Sequence, residues 1–171
     1  MKCSCCGAVV SADYESCAAM FQAVLAREYG DPAYGEAHLF TVDAHALQHS
    51  EEHGPRSNAF HLMRLCCLLE HGGNPSIRQV RKGGRAFYDV REETYRHFPF
   101  LAPPASRGAL TVLSVLMAQT PEEHATRARA WAQCVWETWS AHHEWARVGT
   151  RTVQAMVSQP RRLIRHSHLS L

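Results

Sequence analysis

Thr120-Pro121-Glu122-Glu123-His124-Ala125-Thr126-Arg127-Ala128-Arg129-Ala130-Trp131-Ala132-Gln133-Cys134-Val135-Trp136 carries the clearest structural signal in the chain. Threonine caps a helix by accepting a hydrogen bond from a first-turn N–H, proline is pre-shaped for the first helical position, and a glutamate three residues after the cap completes the pattern. The spacing predicts a helix that starts after Thr120 and continues to at least Arg147. At about 100° per residue, Trp131, Val135, Trp139, His142 and Trp145 share one arc of its surface. That face is expected to be buried, so other elements must cover it.

Those elements also read as helices. Ser16 can cap a helix from about Cys17 to Tyr29, with Phe21, Val24, Leu25 and Tyr29 at helical spacing, before Gly30 and Pro32 end it. A second helix is expected from about Ala37 to Ser50, closed by Gly54-Pro55, and a third from Asn58 to Glu70, stopped by Gly72-Gly73. Pro75 suits the start of a fourth, which Gly83-Gly84 interrupts before Ala86 to His97 resumes a helical pattern. The prolines in Phe98-Pro99-Phe100-Leu101-Ala102-Pro103-Pro104 exclude helix interior and predict an apolar loop. Leu110 to Met117 fits a short buried strand or a helix, and helix is preferred. The expected fold is mainly α: a single-domain helical bundle over residues 1–157, with a Cys-containing knuckle at 1–16 and a basic tail at 158–171.

The composition agrees. At 171 residues, with 46% hydrophobic and 20% charged side chains, the chain is long enough to bury a core without disulfide staples. The longest nearly unbroken apolar run, Ala109 to Ala118, is well short of the about 20 residues that span a bilayer. The opening Met1-Lys2-Cys3-Ser4-Cys5-Cys6-Gly7 has cysteines and polar residues where a secretory signal needs an apolar stretch, so the cytoplasm is the expected address. Seven cysteines is an odd number, and Cys5-Cys6 and Cys66-Cys67 are adjacent pairs, which suits thiols or metal ligands better than a disulfide framework.

Cys3-x-x-Cys6-Gly7 has the spacing at which a tight turn aims two thiolates at one zinc ion, with glycine relieving the backbone. Cys17, at the start of the first helix, offers a third sulfur where the helix dipole favours a thiolate. If the first two helices form an antiparallel hairpin, the start of one lies beside the end of the other, and that end carries His49. His38 lies eleven positions earlier, about 16 Å away along a continuous helix. His45 and His49 are at the i, i+4 spacing that lets two imidazoles share a metal, and Cys5 is an alternative to either Cys3 or Cys6. Cys66, Cys67 and Cys134 fall within apolar helical patterns and read as core. His38 and His142 are also candidate ligands, set against the commoner role of a histidine bonded to a carbonyl, and His142 in the tryptophan arc needs a partner if buried.

Net charge is only +2, but the charged side chains after Glu144 are all arginines, and Arg161, Arg162 and Arg165 make either a nucleic-acid or acidic-partner arm or a solvated end. There is no phosphate-binding G-x-x-x-x-G-K-[ST] loop, no G-x-G-x-x-G after a strand and no G-x-S-x-G elbow. Kinase, dehydrogenase and simple serine-hydrolase readings therefore lack their signatures.

The start Cys3-x-x-Cys6-Gly7-Ala8, with Asp31-Pro32-Ala33-Tyr34-Gly35, His38, Thr41-Val42-Asp43-Ala44 and Leu47-Gln48-His49, resembles a bacterial family, the domain of unknown function numbered 5946. Leu101-Ala102-Pro103-Pro104, Gly108-Ala109-Leu110-Thr111-Val112 and the Trp131, Trp136, Trp139, His142, His143 series extend the resemblance over nearly the whole chain. The family brings no activity with it. The resemblance implies an aromatic such as tyrosine where this chain has His45, which favours His49 as the ligand.

Three functional readings follow. The first is a structural zinc held by Cys3, Cys6, Cys17 and His49 in a helical binding or regulatory protein. The second is a metal-dependent hydrolase or transferase, by analogy with DinB-like helical bundles, using His38, His49 and His142 with Asp43 or Glu137 as base. The third is an interaction module acting through the basic tail or the Phe98-to-Pro104 loop, with nucleic acid the least favoured partner.

Overall fold

The computed structural model describes residues 1–70 and 101–158, with side chains described as far as Thr152. The expected elements between Pro75 and His97, the first part of the Phe98-to-Pro104 loop, and Arg161, Arg162 and Arg165 lie outside the described residues.

The chain opens with a small hairpin. Lys2 and Val9 form an antiparallel bridge, the Cys3 N–H donates to the Ala8 carbonyl at 2.9 Å, and the Gly7 N–H closes back on the Cys3 carbonyl at 2.9 Å. Gly7 turns the chain at φ +74°, a left-handed conformation that a side chain disfavours. Helix α1 follows over Cys17–Gly30, its first turn capped by the Ser16 hydroxyl, which accepts from the Ala19 N–H at 3.1 Å. Asp31 then caps a short α2, Pro32–Gly35. Helix α3 spans His38–Gln48 and ends at His49, a 3₁₀ turn occupies Ser50–Glu52, and α4 runs Pro55–Glu70.

After the region outside description, Leu101 is buried and α5 covers Val112–Leu116, so the short apolar run is helical. Helix α6, Pro121–Thr138, starts as expected: the Thr120 hydroxyl accepts from the Glu123 N–H, and Glu123 reaches back to the Gln119 N–H at 2.7 Å. A 3₁₀ turn at Ser140–His142 leads into α7, His143–Ser158.

Two expectations are corrected here. The helix from Thr120 does not run on to Arg147, but stops at Trp139 and restarts at His143. The Thr138 hydroxyl bonds back to the Val135 carbonyl at 2.7 Å, and the His143 ring donates to the Trp136 carbonyl at 2.8 Å, so groups outside the ladder satisfy its end. The break turns α7 onto α4, where Gly149 lies so close to Met63 that a Cβ would meet its sulfur at 2.3 Å. The second correction is in α1, where Tyr29 is 74% exposed and Glu28 takes the buried position.

The core lies where α3 packs against both α4 and α6, with Leu47, Leu62, Leu65, Trp131, Val135 and Trp139 almost wholly buried. Each such side chain contributes about 1.5–3 kcal/mol of burial. A polar clamp crosses this core: the Trp131 indole donates to Gln48 Oε1 at 3.0 Å, and the Gln48 amide donates to the Leu110 carbonyl at 2.8 Å. It fixes the end of α3, and therefore His49, against α6. Among the described residues, no helix is long and apolar enough to cross a membrane.

Candidate metal centre

Three local structures aim side chains at one point. The hairpin turn presents Cys3 and Cys6, the Ser16 cap holds Cys17 in the first turn of α1, and the end of α3 presents His49. One ligand atom from each of Cys3, Cys6, Cys17 and His49 lies within 4.8 Å of the others, and this is the one such group of three or more metal-ligating residues found among the described residues.

Three of the six distances within the group match a tetrahedral ion. With zinc–sulfur bonds of about 2.3 Å and a zinc–nitrogen bond of about 2.0–2.1 Å, tetrahedral angles put two sulfurs about 3.8 Å apart and a sulfur and nitrogen about 3.6 Å apart. Cys3 Sγ and Cys17 Sγ each lie 3.6 Å from His49 Nε2, and Cys6 Sγ lies 3.6 Å from Cys17 Sγ. A disulfide would require about 2.05 Å, and all seven cysteines are free thiols.

His49 is oriented by its backbone surroundings. Its Nδ1 lies 2.9 Å from the His45 carbonyl, which can only accept, so Nδ1 carries a hydrogen and Nε2 faces the sulfurs. The His45 ring stacks on His49 at 4.0 Å and on Phe21 at 3.7 Å, so the His49 ring cannot swing freely. His45 thus acts through its ring and carbonyl and is outside the four-residue group. Burial, with the neighbouring His49 and His53 charges, pushes its pKa down to about 3.

The electrostatics favour a cation. The hydrogen bond from Cys17, with further help from His49 and the Ala8 N–H, brings the Cys6 thiol down to about 4 against the cost of burial. Cys17 is pushed up by the adjacent Cys6 and by burial, because two neighbouring sulfurs resist carrying charge together. Burial opposes charge on His49, but its contacts with Cys6, the His45 carbonyl and Cys3 carry it up to about 9. Cys6 thus carries charge beside a protonated His49, and a dication bound here would take the place of that proton and stabilise thiolates on the other sulfurs.

The other candidates are placed elsewhere. Cys5, half-buried, lies 3.9 Å from Glu52 Oε1. Cys66 is buried, while Cys67 and Cys134 are partly so. His142 Nε2 donates to the Ala102 carbonyl at 3.2 Å, and Asp43 is fully buried against Arg64 and His61. Glu137 accepts from Gln133 at 3.1 Å.

His38 belongs to a cluster that the sequence reading missed. Its Nδ1 donates to buried Glu28 at 2.8 Å, while His124 and Thr41 donate to the other Glu28 oxygen at 2.9 and 2.6 Å. The signal was the i, i+3 pair His38 and Thr41 opposite a glutamate on α1, but no local pattern ties these to His124 on α6.

No curated protein and no solved structure matches the chain. The family model described as "Family of unknown function (DUF5946)" matches residues 1–140 of the 171, and the chain belongs to that family.

Proposed function

We propose that Cys3, Cys6, Cys17 and His49 bind one zinc ion in a closed structural site, and that the protein is a zinc-stabilised helical binding or regulatory protein. One observation carries this reading: four soft or borderline ligand atoms, from a hairpin, a helix start and a helix end, converge within 4.8 Å of one another, three of the pairs at tetrahedral spacing. Thiolate-rich tetrahedral sets favour zinc over hard cations such as magnesium or calcium. Four protein ligands leave no coordination position for substrate, so the ion would hold the fold together rather than catalyse.

The energetic role follows from size. The hairpin of residues 1–10 has few hydrogen bonds of its own, and the ion would tie it to α1 and to the polar clamp at the end of α3. Free thiolates need a reducing compartment, and the cytoplasm is the proposed location. The three-histidine metalloenzyme reading gains no support, because His38 and His142 are engaged by Glu28 and the Ala102 carbonyl and neither joins the cluster.

The test is elemental analysis of protein purified without an affinity tag, beside a Cys6→Ser variant. About one equivalent of zinc in the parent, with loss in the variant, is expected. Absence of zinc from the parent, or full retention in Cys6→Ser, would reject the proposal.

A further inference from the structure

Beside the cluster lies a cavity of about 300 Å³. Cys3, Cys17 and His49 line it and Cys6 does not, so it opens over the face of the tetrahedron opposite Cys6. The four ligands differ in accessibility as well. Cys6 and Cys17 are 5% and 6% exposed and His49 is 3% exposed, whereas Cys3 is only half-buried.

We infer that Cys3 is a modification site: a metal-bound thiolate that takes an alkyl group from a small carbon electrophile entering this cavity. The inference rests on the zinc reading, since the ion is what keeps the Cys3 sulfur deprotonated at neutral pH. Three thiolates and a neutral imidazole around a dication leave the centre with one net negative charge, which makes an exposed sulfur electron-rich. The cavity's size selects an organic reagent, because hydrogen peroxide would need no such space. Val10 and Ala18 offer it apolar surface, and Lys2 offers a cation to a departing anion.

The step balances without a further reagent. A sulfur lone pair attacks the electrophilic carbon, the S–C bond forms, and the bond from carbon to its leaving group breaks. The leaving group departs as an anion with that electron pair, and no proton moves. Cys3 becomes a thioether, a weaker neutral ligand, and the centre rises from one negative charge to none. The grip of the ion on the opening hairpin loosens, so alkylation would be read out as release of residues 1–10.

The experiment treats zinc-loaded full-length Cys5→Ser protein, which lacks the neighbouring non-ligand thiol, with iodoacetamide. Peptide mass mapping is run over time, with zinc content measured on each sample. Labelling of Cys3 about tenfold faster than Cys6 and Cys17, beginning while one equivalent of zinc is still bound, is the expected result. Zinc present but Cys3 labelled no faster than Cys6 and Cys17 would overturn this inference and leave the zinc site standing. Absence of zinc at the outset would remove both.

Discussion

Replacing His49 by alanine removes one of the four proposed ligands together with a ring stacked 4.0 Å from His45. Structural zinc contributes about 10–16 kcal/mol of binding free energy, so one ligand in four is worth about 2.5–4 kcal/mol, a loss of about 10²–10³-fold in affinity. At a fixed free zinc concentration well above the parent Kd, a 100-fold loss lowers stability by about 2.7 kcal/mol, or about 5–11 °C in Tm for a chain of this size. The stacking loss lowers Tm whether or not zinc is present. The diagnostic quantity is therefore the Tm difference between zinc-loaded and chelator-treated protein, which should be several degrees in the parent and shrink toward zero in His49→Ala. Competition with a chromophoric chelator gives the affinity directly. Zinc affinity in His49→Ala within about threefold of the parent would refute the reasoning, because it would show that the imbalance of one ligand costs under 1 kcal/mol.

Other outcomes follow from the scaffold. Asp43 is held below the usual carboxylate range despite its burial by Arg64 and His61, and Glu28 likewise by His124, His38 and Thr41. Depressed carboxylates stabilise the fold above their unfolded pKa and lose that contribution as pH falls through the folded one, so urea midpoints should drop below about pH 4. Asp43→Asn should cost about 3–5 kcal/mol at pH 7 and flatten that acid limb, as judged from urea unfolding at several pH values. Trp131→Phe strands Gln48 Oε1 in the core and should cost about 2–4 kcal/mol by denaturant unfolding, adding an unmet acceptor to lost volume. Thr120→Ala removes the cap of α6 and should cost about 1 kcal/mol, with helix content at low temperature unchanged by circular dichroism.

The parts of the fold that were legible in the sequence are those set by local chemistry. Ser16 and Thr120 each cap the helix that follows them, and these signals act over three residues. The gathering of Cys3, Cys6, Cys17 and His49 was also within reach, because a turn spacing, a helix start and a hairpin argument suffice. What was not legible depends on tertiary partners. The end of α6 looks helical by periodicity, yet the chain bends at Trp139 because α7 gains more by packing on α4 than by extending into solvent. Glu28 outcompetes Tyr29 for the buried position because His38, Thr41 and His124, from two other helices, supply its donors. Asp43 is buried for the same reason, through Arg64 on α4.

The most direct test is zinc K-edge X-ray absorption on untagged protein, since it reads both the presence of the ion and the identity of its ligands. A shell of three sulfurs at about 2.3 Å and one nitrogen at about 2.0 Å, on about one equivalent of metal, is what the account predicts. A nitrogen- and oxygen-only shell would contradict it by placing the metal on surface histidines, and so would protein that carries no metal after zinc is supplied.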